Sequence, residues 1–280
     1  LKGRFRWILK NYHNTLNNMQ ITKEMDFIKR TVDSFSDINI SQNDQSISTR
    51  TGKIHQTPRI RYYPNGLLFT NVYHQIEMGD ILLIYKYVVN GTLIYYRGVI
   101  VQVKHTNTKK HTWHIDSNQF KFLVNWPIFE IVLPRCNRYF YIQPQMLSWA
   151  TYTFVGKNAT RYPIYYSSSR MAQHRRMQNL QMMPNRDFSF SVKPHFNWDC
   201  SGSYFMKFIQ GLIGENLLKN NNARDLVHNI CIMSGLEPDP PGEPDWREFK
   251  KSDEETFGVI EFTVKRNIQS ENSLINEKPF

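Results

Sequence analysis

The stretch RGVIVQVKHT, residues 97–106, constrains the fold more than any other part of the chain. Val99, Ile100, Val101 and Val103 put β-branched groups on both faces, the pattern of a strand covered above and below. Yet Gln102 and Lys104 close the strand two residues apart, and so on one face. Burying an amide without a partner costs roughly 2–7 kcal/mol, and burying a charge costs more. The strand end therefore needs partners for a carboxamide and an ammonium.

The upstream segment IEMGDILLIYKYVVNGTLIYY suggests where they come from. Asn90-Gly91 between two apolar runs predicts a hairpin, with strands over residues 79–87 and 93–104. The hairpin brings Asp80, at the start of its first strand, beside the end of the second. A two-residue Asn-Gly loop pairs Asp80 with Val101 and turns Gln102 to the other face. A three-residue loop with Gly91 in a bulge pairs Asp80 with Ile100, and Asp80, Gln102 and Lys104 then share a face. A bulge elsewhere in the hairpin has the same effect. A carboxylate and a carboxamide oxygen together can hold Mg²⁺, a hard ion that keeps several waters. A neighbouring ammonium can help deprotonate a water or steady phosphate charge.

These residues resemble a family. A "GD" followed by an apolar run, a hairpin and then "VIVQVK" is similar to the core of the PD-(D/E)XK nuclease superfamily, closest to its Mrr-like and RecB-like branches, where Gln often replaces the Glu of the motif. The resemblance covers about residues 75–130. It implies an α/β (α+β) fold, a mixed sheet flanked by helices in the restriction-endonuclease manner. It also implies a phosphodiesterase dependent on Mg²⁺ or Mn²⁺. On this resemblance Asp80 is the metal-binding acid, Gln102 a second ligand that also acts through the Val103 carbonyl, and Lys104 the catalytic lysine. Glu77 is a further candidate ligand. The family often adds an acid from its first helix, and Glu24, Asp26 and Asp33 are all available. Gly79 stands where the Pro of the family's name would be.

Charge points the same way. The net charge is +11, and acids outnumber bases between Glu237 and Glu255, so the remainder is more basic still. Such an excess suits a polyanion, with DNA favoured. In HTNTKKHTWH, His105, Lys109 and Lys110 are candidate phosphate contacts. His105, His111 and His114 fit no standard zinc spacing. Arg170, Arg175 and Arg176 in SSSRMAQHRR read equally as a nucleic-acid clamp or as disorder. Asn158 matches a glycosylation acceptor with nothing else suggesting secretion. Without a Gly-rich phosphate loop, an ATPase, helicase or sensor function would belong to a separate subunit.

Mean hydropathy of −0.53 suits a globular chain, and no apolar run approaches a membrane span. LKGRFRWILK lacks the continuous apolar segment of a signal peptide. Three scattered cysteines, Cys136, Cys200 and Cys231, fit a reducing cytoplasm. The pattern divides into a basic arm or helix (1–21), a nuclease core (22–150), a mobile basic segment with C-terminal helices (151–236) and an acidic Pro-rich tail with a candidate last strand, FGVIEFTVK (237–280). TKEMDFIKRTVDSF predicts a helix capped by Thr22 with a Met25/Ile28/Val32/Phe35 stripe. IDSNQFKFLVNW predicts one capped by Asp116 or Ser117. A helix over 202–219 would bury Phe205, Phe208 and Leu212, and ARDLVHNICIMSG another ending at Gly235. The functional expectation is a metal-dependent nuclease, by analogy the effector of a restriction or antiphage system. The alternative is a non-catalytic nucleic-acid-binding or assembly subunit with a degenerate nuclease fold.

Overall fold

A computed structural model describes residues 2–17, 21–54, 57–63, 73–107, 112–133, 135–143, 149–156, 163–172, 188–191, 199–237 and 256–268. In chain order its elements begin with α1 (Lys2–Asn17), α2 (Glu24–Ser34), β1 (Asn39–Gln42), β2 (Gln45–Ile54), β3 (Arg59–Tyr62) and β4 (His74–Glu77). Next come β5 (Ile81–Val89), β6 (Thr92–Thr106), β7 (Thr112–Ile115), α3 (Ser117–Asn125), β8 (Phe129–Leu133) and β9 (Arg135–Phe140). Then follow β10 (Ala150–Gly156), β11 (Ile164–Ser167), α4 (Ser168–Ala172), β12 (Phe188–Ser191), β13 (Asp199–Cys200) and α5 (Ser201–Ile209). The last are β14 (Glu215–Asn216), α6 (Asn221–Met233) and β15 (Phe257–Arg266).

Among the described residues nine strands form the main sheet in the order β1-β2-β15-β5-β6-β10-β11-β13, with β14 also on β6. The sheet is mixed: β15 runs parallel to β5 and β10 parallel to β6, and the other pairs are antiparallel. The α/β expectation holds, and its reason is the one read from residues 97–106. Val99, Val101 and Val103 point into a core built by α1, α2 and α5, with Phe5, Phe27, Val32, Phe205 and Phe208. Ile100 points into the other, with Phe120 and Phe122 of α3 and Leu226 and Ile230 of α6. A second sheet, β4-β3-β8-β9, packs Ile60, Tyr62, Phe129 and Ile131 onto α3.

The hairpin forms with a two-residue turn. Asn90 and Gly91 both take positive φ, 47° and 81°, and Val89 pairs with Thr92. The register then shifts, because Tyr87 pairs with Tyr95 while Val88 pairs with Leu93, which leaves Ile94 as the extra residue. Ile81 consequently faces Val101, and one step further Asp80 comes opposite Gln102, not Ile100 or Val101. The shared face survives because a bulge elsewhere supplies the extra residue.

Several boundaries differ from expectation. Of the two alternatives for the basic N-terminus, arm or helix, the chain takes the helix, and its Phe5, Ile8, Leu9, Tyr12 and Leu16 are core. In α2 Ile28, Val32 and Phe35 are core as expected, but Phe27 and Thr31 are buried with them and Met25 is only half-buried, so the face is wider than the stripe on one side. Lys23, not Thr22, is the N-cap, and Thr22 donates its hydroxyl to Asp26 Oδ2. The helix from 202 stops at Ile209, and Gly211 follows with φ 71°. The chain must turn there to lay β14 against β6, so Leu212 ends up 60% exposed. Asp116 does cap α3, accepting from Gln119 N at 2.6 Å. Gly235 follows α6 with φ 74°, as its sequence suggested. The candidate last strand is not a tail element. As β15 it lies between β2 and β5, so the range 22–150 takes its central strand from beyond 250. No helix among the described residues is long and apolar enough to cross a membrane.

Gly258 of β15 sits where α2 crosses closest, and a Cβ there would collide with Val32 Cγ2. Val32 is fully buried and cannot swing away. Gly258→Ala should therefore destabilise the protein by about 1–3 kcal/mol, read as a lower urea midpoint with an unchanged m value.

Candidate active site

The end of β6 and the start of β5 place the candidate residues together. Asp80 is held by its own backbone, its N–H donating to Val101 O at 2.9 Å and its carbonyl accepting from Gly258 N at 2.8 Å. The glycine before it has a local reason. A Cβ on Gly79 would lie 2.5 Å from Ile100 Cγ2, so the chain can enter β5 here only without a side chain.

The Asp80 side chain is 5% exposed, and Gln102 is fully buried. Asp80 Oδ2 accepts from Val103 N at 2.6 Å and from Gln102 Nε2. Gln102 Nε2 also donates to Val103 O at 3.1 Å. Its Oε1 accepts from Gln119 Nε2 at 2.6 Å, and that same nitrogen donates to Glu77 O at 3.1 Å. This chain has a fixed sense. A main-chain carbonyl can only accept, so Gln119 must present its NH₂ to Glu77, and Gln102 must turn its oxygen to Gln119 and its NH₂ to Asp80. Gln102 as held here therefore orients the Asp80 carboxylate and does not offer an oxygen beside it.

Burial pushes the Asp80 carboxyl well above the usual range, and the negative charges of Glu24 and, more weakly, Glu77 push the same way. Lys104 and the Val103 N–H oppose them. Glu24 is thus the acid that α2 brings to the site. It is the first residue of the helix, and its Oε1 accepts from His105 N at 3.0 Å, which ties α2 to the end of β6. The other two acids are engaged elsewhere, Asp26 in capping α2 and Asp33 in an ion pair with Lys53 at 2.6 Å. Tyr152, opposite Gln102 on β10, is fully buried beside the cluster and keeps that side dry.

Asp80, Gln102 and Lys104 therefore share one face at one end of the sheet, with Glu24 and Glu77 in reach of their charge. Of the proposed nucleic-acid contacts, His105 is half-buried and donates its main-chain N–H to Glu24 Oε1. Arg170 lies in α4 by its backbone, while Lys109, Lys110, Arg175 and Arg176 lie outside the described residues. Sequence reasoning missed Gln119; its one signal was a polar residue a turn into a helix otherwise rich in buried aromatics.

For a divalent ion the donor chemistry is suitable: carboxylates are hard, and a buried one gains most from a nearby cation. The spacing is looser. Among the described residues no three His, Cys, Asp or Glu side chains stand close enough to enclose an ion. Asp80, with Glu24 or Glu77, would anchor one edge of a shell completed by water, which suits Mg²⁺.

Two other features of the structure are less suited to chemistry. Glu261, 2% exposed, accepts from Arg50 Nη2 at 2.8 Å and pairs with Lys86 Nζ at 2.7 Å, so its charge is spent inside the sheet. A cleft of about 680 Å³ between α1 and α5, lined by Arg6, Lys10, His13 and Met206, opens on the sheet face away from Gln102. Comparison with family models, curated proteins and solved structures gives no match.

Gln119→Leu would remove the donor to Gln102 Oε1 and the side-chain donor to the Glu77 carbonyl. The expected loss is about 1–3 kcal/mol of stability, measurable by denaturant titration, together with a larger spread of Gln102 side-chain signals in NMR.

Proposed function

We propose that the chain is a metal-dependent nuclease that hydrolyses phosphodiester bonds, most simply in DNA. One observation carries this reading: an acid at a strand start, a Gln and a Lys at the end of its antiparallel neighbour, and an acid from the first residue of α2 all converge at one end of a mixed sheet. That constellation agrees with the restriction-endonuclease-like arrangement the sequence resembles, and the +11 net charge suits a polyanionic substrate.

In this reading Asp80 and Glu24 hold Mg²⁺ or Mn²⁺, with Glu77 alongside. When bound, the ion supplies Lewis acidity toward the phosphate and lowers the pKa of water. Lys104 places its ammonium against the charge that develops on the attacked phosphate. Gln102 keeps the Asp80 carboxylate in one orientation through Gln119, and Val103 N–H does the same from the backbone. A role in restriction or antiphage defence, in the cytoplasm and with a separate ATPase or sensor subunit, extends the family analogy.

The second reading, a non-catalytic nucleic-acid-binding or assembly subunit, is favoured by one feature. The Asp80–Gln102–Gln119 chain satisfies its polar groups within the protein, as a purely structural core would.

The discriminating experiment is cleavage with and without Mg²⁺ or Mn²⁺. Asp80→Asn keeps an acceptor for Val103 N–H, so the fold should survive while cleavage is lost. Lys104→Ala should lower the single-turnover rate by about 10²–10³-fold at saturating substrate, with little change in affinity. Glu24→Gln should reduce cleavage far more than Asp26→Asn. Removing the metal with EDTA should stop cleavage without releasing nucleic acid. If wild-type protein binds but never cuts, alone or with co-purifying proteins, and Asp80→Asn behaves identically, the second reading stands.

A further inference from the structure

The cleft between α1 and α5 has walls of one sign. The sequence of α1 is KGRFRWILKNYHNTLN and that of α5 is SGSYFMKFI, and neither contains an acidic residue. Arg6 and Lys10 are exposed and line the cleft from α1. They stand four residues apart, so on one side of the helix and about 6 Å along it. Neither forms an ion pair among the described residues. His13 follows a turn later on the same wall. Burial holds its ring below its usual pKa, so at neutral pH the positive charge comes from Arg6 and Lys10. The acid just ahead of α5, Asp199, is already matched. Its Oδ1 accepts from Lys207 Nζ at 2.6 Å and from Ser203 Oγ at 3.0 Å.

The cleft also has an apolar floor. Leu9 is 3% exposed, and Met206 is half-buried against the same core. Gly202 and Ser203, in the first turn of α5, border it, and the N-cap Cys200 offers no side-chain acceptor to that turn. The positive end of α5 therefore adds to the field of the two cations. At about 680 Å³ the cleft falls within the roughly 300–1,000 Å³ usual for small-molecule sites. An inorganic anion would leave most of that space unfilled.

We infer that the cleft binds a mononucleotide or a phosphorylated molecule of that size, with the phosphate on Arg6 and Lys10 and the ring over Leu9 and Met206. An exposed, unpaired Arg and Lys suit a phosphate, the first as a fork and the second as a point charge. A flat ring suits an apolar floor, and a thioether lies favourably against it. Asn14, also on the wall, carries both a donor and acceptor for a base edge. Nothing here depends on the nuclease reading.

The test is calorimetric titration of the full chain in EDTA with AMP, GMP, CMP and UMP, and with adenosine, inorganic phosphate and octanoate for comparison. At least one nucleotide should bind once per chain. Removing its phosphate or its base, or replacing it with octanoate, should weaken binding by about tenfold or more. Arg6→Glu with Lys10→Glu should weaken it at least as much. Gly202→Leu should block the cleft from the other wall. A Cβ at Gly202 meets only His13 Nε2, at an ordinary 3.7 Å, so the helix tolerates it. Both variants should keep the wild-type urea midpoint, and Asp80→Asn should bind the nucleotide normally. The inference is overturned if none of the four nucleotides binds at millimolar concentration, or if adenosine or octanoate binds as tightly. It is equally overturned by nucleotide binding that both cleft variants leave unaltered or that Asp80→Asn abolishes. Charge reversal that weakens only oligonucleotide binding overturns it too, since α1 would then serve a polynucleotide.

Discussion

Everything in this molecule hangs on the pairing of β15 with β5. The two strands run parallel in register from Gly258 opposite Ile81 to Arg266 opposite Val89. A parallel pair at the centre of a sheet has no exposed face, so helices must cover both sides. On one side α1, α2 and α5 pack Phe5, Phe27, Phe35 and Phe205 against Phe262 and Val264. On the other, α3 and α6 pack against Val259 and Leu82. The chain's last described strand thereby joins two cores, one of which its first residues help to build. Gly258 shows how tight the fit is, since α2 leaves no room there for even a methyl group.

The same two-sided burial determines how polar groups are treated. Charges that enter such a sheet need partners at once. Glu261 receives two, Arg50 and Lys86, and becomes a structural ion-pair node. Asp80 is also buried, but its direct partners are an amide side chain and a backbone N–H, both neutral. Burial first, then Glu24 and more weakly Glu77, disfavour its charge, which Lys104 and the Val103 N–H only partly offset. That contrast between two buried acids on one sheet is what supports the chemistry proposed for the Asp80 end, since a site meant for a cation must keep a carboxylate incompletely neutralised.

The small sheet borders the Asp80 end of the main sheet, and its charges are likewise matched. Arg61 on its outer side is ion-paired with Glu130 and lies over the ring of Tyr73.

Local features were legible in the residues themselves. Asn90-Gly91 specified the hairpin turn, Asp116 capped α3, Gly235 ended α6, and the doubly apolar run 99–103 required cover on both faces. Each depends on interactions within a few residues, or on burial alone, which sequence patterns report directly. The convergence of Asp80, Gln102 and Lys104 followed from strand parity once the bulge at Ile94 was included. What tertiary structure alone decided was which distant segments meet. It put β15 at the centre and not in a tail, chose Glu24 over Asp26 and Asp33, brought Gln119 from α3 to orient Gln102, and left Leu212 in solvent. The physical reason is that these outcomes are set by contacts between residues far apart in the chain. The pattern within a segment states that a face must be buried or a polar group satisfied, but which partner does so depends on the packing of all the others.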